Sequence, residues 1–515
     1  MIFIDNKTNL SLIRDYVNTD SAYDMIQTEV DLTSVLASYS PSVASGVFKN
    51  NCFPIEVFIP FMLSKGKNTN AQPIRTEIKS ILIRKLTYHS KNDGSLKVNT
   101  TATANFVRKL FRICLIQQTN KLLIYNTARG YWHEYLTILE RFIYELVSTT
   151  LNLKWTIALQ DAVLREVNKK VPIVNNNDLN VKGFPFRNVT LDYTTNKIVD
   201  HNPKHYSTIH SDVTYDPNAK CPVFMGNMNI WFAGDPQTQL FVQEWFGYVL
   251  SGSFKANAFL LVYSEGGEGK STLFGILEKL IGGVNTTSTP LSNLNTQFGL
   301  EPLVGKKLNL STENSNGAFD TAKLKAITAG EKITVNRKNI PECEMVLPIK
   351  MIYLLNDLPT ITDKSVGFAR RLIILPFLNK IPVSKQDKNL SKKLNYEMSG
   401  ILNWALNGLN RLENNGYNFT ISSSMQKIRN RYLSEEDVMT KFIKSKIQVC
   451  PGNSEYCSDV IDSFESWTML HGYTVAFTSQ KSFWKAFEPI ALTLGIPYDR
   501  YRKSGYSALK GIKIV

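Results

Sequence analysis

Nine consecutive residues, Ser264-Glu265-Gly266-Gly267-Glu268-Gly269-Lys270-Ser271-Thr272, carry the most specific chemistry in this chain. Glycines at 266, 267 and 269 allow backbone N–H groups to close on an anion. Lys270 then offers a cation to β/γ-phosphates, and the Ser271 hydroxyl can ligate Mg²⁺. The spacing is that of a phosphate-binding loop except at its first position, where Ser264 replaces glycine. The ligand implied is a nucleoside triphosphate with Mg²⁺. Gly266, Gly267, Glu268, Gly269, Lys270, Ser271 and Thr272 are the expected binding residues. Glu268 runs against the pattern, because it sets a carboxylate beside anionic phosphates.

Such a loop works only between a strand and a helix, and both are legible. Ala258-Phe259-Leu260-Leu261-Val262-Tyr263 is an apolar run of strand length. Leu273, Phe274, Ile276, Leu277, Leu280 and Ile281 then recur at helical spacing until Gly282-Gly283 stops them. A helix beginning at Lys270 would add its N-terminal partial positive charge to the cradle.

Further candidates follow in order. Lys307 to Asn314 reads as a strand ending at Glu313, an acid suited to water activation and the Mg²⁺ shell, although Thr312 and Asn314 leave it without an acidic neighbour. Asp320 to Glu331 reads as a helix ended by Gly330, and Lys332 to Asn339 as a hairpin arm with Arg337 and Lys338 at its tip. That tip is either an exposed basic turn or a contact for DNA phosphates. Ile349 to Leu355 predicts a strand ending at Asn356, which is either a turn former or an amide that orients an attacking water. Arg370 and Arg371 enter another apolar strand. They are either solvated strand ends or contain an arginine finger directed at a neighbouring subunit's γ-phosphate.

The surrounding chain has 515 residues, enough for about three domains. Its formal charge of +15 favours a polyanionic partner, most simply nucleic acid. Met1-Ile2-Phe3-Ile4 runs directly into Asp5 and Lys7, so no signal peptide is expected; no apolar stretch is long enough to span a bilayer, so no membrane partner is expected; and scattered cysteines make a cytoplasmic location the expectation. The six cysteines lack metal-ligand spacing, so no zinc site is expected.

The fold class expected is multidomain α/β: a P-loop ATPase core, a helical N-terminal region and a small C-terminal domain. The divisions are 1–95, a domain of unknown role; 96–240, mainly helical; 241–395, the ATPase; 396–450, a helical lid; and 451–515. Ser90 to Ser95 reads as a linker. Residues 100 to 172 read as helical, with stripes of Phe106, Leu110, Ile113 and Cys114 and of Tyr135, Leu136, Leu139, Phe142 and Ile143. Residues 184–232 read as short strands and turns, and Pro451 to Ser454 as a turn opening the last domain. There Phe464, Trp467 and Leu470 form one helical stripe, and Ser479 starts a second helix carrying Lys481 and Lys485. Tyr498 to Tyr506 reads as a hairpin with Arg500, Arg502 and Lys503 at its tip. Two helices and a basic hairpin resemble a winged helix, suited to duplex DNA.

The order of loop, acid, basic hairpin, amide and arginine pair resembles superfamily 3 AAA+ helicases, of the phage, plasmid and poxvirus primase-helicase type. Tyr215 to Pro222 is similar to the segment that precedes the ATPase there, and Leu358 to Asp363 to the stretch after its sensor. The resemblance implies a homo-hexameric ring moving on single-stranded DNA, usually 3′ to 5′, with loading at an origin and contacts to host replication proteins. It implies that Lys270 and Ser271 hold phosphate and Mg²⁺, Glu313 is the catalytic acid and Asn356 the sensor. Arg370 or Arg371 would be the finger, with Arg337 and Lys338 on DNA. That family often has Asn where this chain has Glu268. Residues 1–95 show no acid pair with a histidine, so primer synthesis is not expected. An initiator or switch protein that uses ATP without unwinding is the competing reading.

Overall fold

The computed structural model describes residues 79–515 apart from 81, 265, 313–320, 339, 360–362, 364, 383, 385, 435–437, 472, 474–476 and 478. Glu313, Asp320 and all but the end of the 1–95 segment therefore lie outside the described residues. The architecture is multidomain α/β.

The N-terminal part opens with the hairpin β1 (Thr87–His89) and β2 (Leu96–Val98). Ser90 to Ser95 is the tight connection inside that hairpin rather than a linker. The Ser90 N–H donates to Ser95 O at 2.8 Å, and Gly94 takes φ +69°. Three helices follow, α1 (Thr100–Leu110), α2 (Leu136–Glu145) and α3 (Ile157–Asn168). Between α1 and α2 the expectation of continuous helix fails. Residues 113–133 form β3 (Ile113–Ile116), β4 (Leu122–Asn126) and β5 (Tyr131–His133), which join β6 (Ile173–Val174) in the order β5-β4-β3-β6. Ile113 and Cys114 thus belong to a strand. The reason is local: Asn120 and Gly130 take positive φ and reverse the chain, and the short β-branched and aromatic runs between them are too short for helices. Alternation divides the sheet. Ile113, Leu122 and Ile124 pack with the helices, whereas Cys114, Ile116, Leu123 and Tyr125 pack on the other side with Trp132.

A small antiparallel sheet of β7 (Gly183–Pro185), β8 (Thr190–Asp192) and β9 (Ile198–Val199) leads to α4 (Pro222–Trp231) and α5 (Pro236–Leu250). The helix α4, with proline in its first turn, lies in a stretch whose sequence suggests strands and turns.

The core is a five-stranded parallel sheet of β10 (Phe259–Tyr263), β11 (Thr286–Thr287), β12 (Leu308–Ser311), β15 (Lys350–Leu355) and β16 (Leu372–Pro376). The spatial order is β11-β12-β15-β10-β16. Both faces are covered, so the strands read as unbroken apolar runs that alternate between two cores. Leu260, Val262, Ile352, Leu354, Ile373 and Leu375 pack with α6 (Lys270–Ile281) and α5. Phe259, Leu261, Met351, Tyr353, Leu355 and Ile374 pack with Leu324 and Ile327 of α7 (Ala322–Ala329). The antiparallel pair β13 (Ile333–Arg337) and β14 (Ile340–Met345) stands apart from this sheet, with an irregularity between Val335 and Arg337. The short helix α8 (Val366–Ala369) leads into β16.

Helices α9 (Leu390–Tyr396), α10 (Met398–Asn414) and α11 (Ser423–Ser434) close the core. Along α5 and α10 the backbones touch: a Cβ at Gly408 would lie 2.1 Å from Gln243 O. The fully buried Glu244 accepts from Arg411 Nε at 2.7 Å and from Thr420 N at 2.7 Å, which satisfies a carboxylate that would otherwise be costly to bury.

The last unit runs α12 (Val438–Lys446), β17 (Ile447–Tyr456), α13 (Cys457–Leu470), α14 (Gln480–Thr493), β18 (Asp499–Lys503) and β19 (Tyr506–Ile514), with strand order β17-β19-β18. Pro451 to Ser454 lies inside β17, where the register shifts, and Met439, Phe442 and Ile443 of α12 are part of this core. Phe464 and Trp467 are buried as expected, but Leu470 is 81% exposed because α13 ends there. Among the described residues no helix is long and apolar enough to cross a membrane.

Two lysines are buried where β12 and β15 begin. Lys307 Nζ donates to Tyr193 Oη at 2.5 Å and to Ser251 O at 3.0 Å. Lys350 Nζ donates to Ser253 O and sits 3.9 Å from the Tyr248 ring centroid. Burial pushes Lys350 down from 10.5 to about 7, and burial together with Lys350 drives Lys307 well below the usual lysine range. A lowered lysine means that the folded state binds fewer protons than the unfolded chain above the folded pKa. Stability should therefore rise with pH from about 7 towards the ordinary lysine value of 10.5. Lys350→Met should flatten that rise by on the order of 2 kcal/mol in pH-dependent urea unfolding; an unchanged slope would show that Lys350 does not titrate in this way.

Candidate functional site

The strand β10 ends at Tyr263, and the chain must reverse at once to start α6 at Lys270. It does so through Gly266, Gly267 and Gly269, at φ +115°, +88° and +92°. Gly269 is the N-cap residue of α6, so the helix N-terminus opens onto the loop. Glycine is required there twice over. Its φ suits no side chain, and a Cβ would lie 2.3 Å from Trp231 Nε1. Trp231 is the last residue of α4 and 1% exposed, so the flanking helix forms one wall behind the loop. Sequence reasoning missed it; the available signal was the pairing of Pro222 with the apolar spacing of Phe224, Met228 and Trp231.

Lys270 meets the predicted amide. Its Nζ donates to Leu355 O at 2.6 Å and to Asn356 Oδ1 at 3.1 Å. The contact follows from the parallel pairing of β10 with β15, which aligns Tyr263 with Leu355 and brings both strand ends to one edge. Burial lowers the Lys270 pKa, opposed by the charge of Glu268. Ser271 and Asn356 are exposed and Thr272 half-buried.

Glu268 is 4% exposed and folds back, its Oε2 accepting from Gly266 N–H at 2.9 Å. It thus occupies one of the backbone donors that an anion would use. Ser264 is 1% exposed, and its hydroxyl makes no hydrogen bond to a described residue. The glycine φ values, the helix N-terminus, the lysine and the exposed Ser271 together suit an anionic ligand with a cation, and Ser271 is the described residue placed to hold the cation.

The arginine pair divides. Arg371 is buried, donating from Nη1 to Gly367 O at 2.7 Å, and burial with neighbouring Arg370 lowers its pKa. Arg370 is exposed. Both precede β16, whose Leu372 pairs with Phe259, whereas the loop follows Tyr263, which pairs with Pro376. The arginines and the loop of one chain therefore sit at opposite ends of the sheet.

The basic positions are similarly dispersed. Arg337 turns back along its hairpin, with Nη2 3.8 Å from Cys343 Sγ, while Lys338 is exposed. Lys481 and Lys485 are exposed on α14. Arg500 stacks over Trp484 at 4.8 Å and pairs with Glu488 at 3.4 Å, Arg502 is exposed, and Lys503 donates to Ser454 Oγ at 2.8 Å.

Two family models match this chain. Residues 104–229 match the model described as D5 N terminal like, and residues 262–371 match a family of unknown function, DUF5906. The first match covers the helices and sheet before the core and ends beside Trp231; the second begins within β10 and ends at Arg371. An uncharacterized mitochondrial protein, ymf21, of Marchantia polymorpha is 23% identical over 128 residues, covering 22% of this chain and 70% of that protein. Two apo structures of the NrS-1 C-terminal region are 14% and 13% identical, with TM-scores of 0.44 and 0.45. Each covers 80% of this chain and 97% of that region.

Three substitutions separate the roles within the loop. Gly269→Ala should lower folding stability by about 2–4 kcal/mol, through the Trp231 clash added to left-handed strain; Gly267→Ala, with open space around it, should cost about 1. Equal losses in urea melts would mean that Trp231 does not constrain the loop. Glu268→Gln should tighten ATP binding roughly fivefold in calorimetric titration by removing a like charge from the cradle; weaker binding would show that the carboxylate supports the loop.

Proposed function

We propose that this protein is an ATP-driven DNA helicase of the superfamily 3 AAA+ type, working as a hexameric ring in replication of a phage or mobile element. The observation that carries this reading is the contact of Lys270 with Leu355 O and Asn356 at the N-terminus of α6. It sets a phosphate-binding lysine beside an amide able to orient water. The D5 N terminal like match before the core and the charge of +15 support a replication role and a nucleic-acid partner.

In this reading Gly266 to Thr272 hold the triphosphate, and Lys270 exchanges its protein acceptors for phosphate oxygens. Ser271 and Glu313 hold Mg²⁺, which would offset charge on the phosphates. Asn356 positions water for Glu313 to activate. Arg370 is the finger: it is exposed and points from the sheet end opposite its own loop, so it serves a neighbouring copy. Arg371 is instead spent on Gly367 O and holds the approach to β16. Lys338 contacts DNA inside the ring with Arg337 behind it. The C-terminal unit is a winged helix, with α14 and the Arg500 and Arg502 side of β18 available to duplex DNA at an origin.

Lys270→Ala should abolish ATP hydrolysis. Arg370→Ala should reduce it by about 10³-fold, and mixing the two inactive proteins should restore partial turnover, because mixed interfaces can pair an intact loop with an intact arginine. No recovery on mixing, with both variants assembled, would remove the finger. DNA-stimulated hydrolysis without displacement of an annealed strand would favour the initiator reading.

A further inference from the structure

The C-terminal unit has a second surface that the winged-helix reading leaves unused. In β18 the side chains alternate, and Arg500 lies over Trp484 of α14. Tyr501 and Lys503 therefore face the other way. The antiparallel register sets Tyr501 opposite Ala508, Ala508 opposite Tyr456, and Lys503 opposite Tyr506. Three tyrosines and a lysine thus share one patch on the sheet face turned from α14. The contacts agree with the register: the Tyr456 and Tyr506 rings meet edge to face at 6.4 Å and 87°, and Lys503 Nζ lies 5.3 Å from the Tyr456 ring centroid.

The patch is open and held in place. Tyr506 is 71% exposed and Tyr501 37%, while Ala508 between the tyrosines is fully buried. The turn that presents Tyr506 is tight, with Ser504 at φ +50° and Gly505 at φ +84°. Lys503 spends one donor on Ser454 Oγ and keeps two for an anion. On the same face Lys510 and Asp499 stand opposite each other at the far edge, and both are exposed. Exposed Arg502 and Lys513 add to the positive field around the hairpin.

Large exposed rings beside cations are poorly suited to duplex DNA, whose bases are already stacked. They suit a single strand, whose bases stack on aromatic faces while lysines take the phosphates. We propose that the Tyr456–Tyr501–Tyr506 face of the C-terminal sheet binds single-stranded DNA by base stacking, on the side of the domain away from α14. The proposal rests on the DNA-binding reading above but not on ATP turnover. The domain then offers α14 to a duplex and the tyrosine face to a separated strand.

The test uses the full chain without nucleotide and a single-stranded oligonucleotide carrying 5-iodouracil, with photo-crosslinks mapped by mass spectrometry. Crosslinks at Tyr501 or Tyr506 are expected. Tyr501→Ala with Tyr506→Ala should weaken single-strand binding in fluorescence anisotropy by roughly tenfold or more and leave duplex binding unchanged. The paired Phe substitutions, which keep the rings, should retain binding. Crosslinks confined to the Lys338 hairpin or to α14, or unchanged affinity in the Ala variant, would overturn the proposal. So would an Ala variant whose only change is in sedimentation, which would assign the face to a second copy of the chain. Absence of ATP hydrolysis alongside tyrosine crosslinks would sink the motor reading and support this one.

Discussion

The hydrogen bonds from Lys270 to the end of β15 are the contact on which the site depends. They exist because β10 and β15 are parallel neighbours whose last residues, Tyr263 and Leu355, are in register. A parallel sheet buried on both faces places all its strand ends of one polarity at one edge. A loop and an amide 86 residues apart in sequence are thereby brought within hydrogen-bond reach. The two apolar cores, divided by strict alternation along each strand, hold that register.

The same geometry separates the arginine pair from the loop within one chain. Arg370 precedes β16 and the glycine loop follows β10, so sheet polarity carries them to opposite ends. In the proposed function, that separation is the reason Arg370 serves the loop of a neighbouring copy. The Trp231 contact at Gly269 works in the other direction, by joining the end of α4, just past the D5 N terminal like match, to the loop itself. A tryptophan buried against a glycine leaves neither free to move alone.

The readings that survived rest on local rules. The helix after the loop, its stop at Gly282, the helix ended by Gly330 and the helix start at Ser479 each depend on a few neighbouring residues. Those that failed depended on what a segment packs against. Ile113 and Cys114 continue a helical stripe in the sequence, yet they belong to a strand because β4 and β6 flank them. Leu470 continues a helical stripe but emerges into solvent where α13 ends. Pro451 to Ser454 looks like a domain opening and is an irregularity within β17.

By itself the sequence determined the chemistry on offer: three glycines, a lysine and a serine in loop spacing, an amide at a strand end, two arginines before another, and a large positive charge. Residue type and short-range spacing suffice for that, because turns, caps and strand alternation are local. Only the tertiary structure decided how these groups are used. It gave Lys270 to Asn356, folded Glu268 onto Gly266, buried Arg371 and left Arg370 exposed. It also set three tyrosines from three strands around one lysine. Burial and strand register are properties of what lies across the sheet, and no window of neighbouring residues contains them.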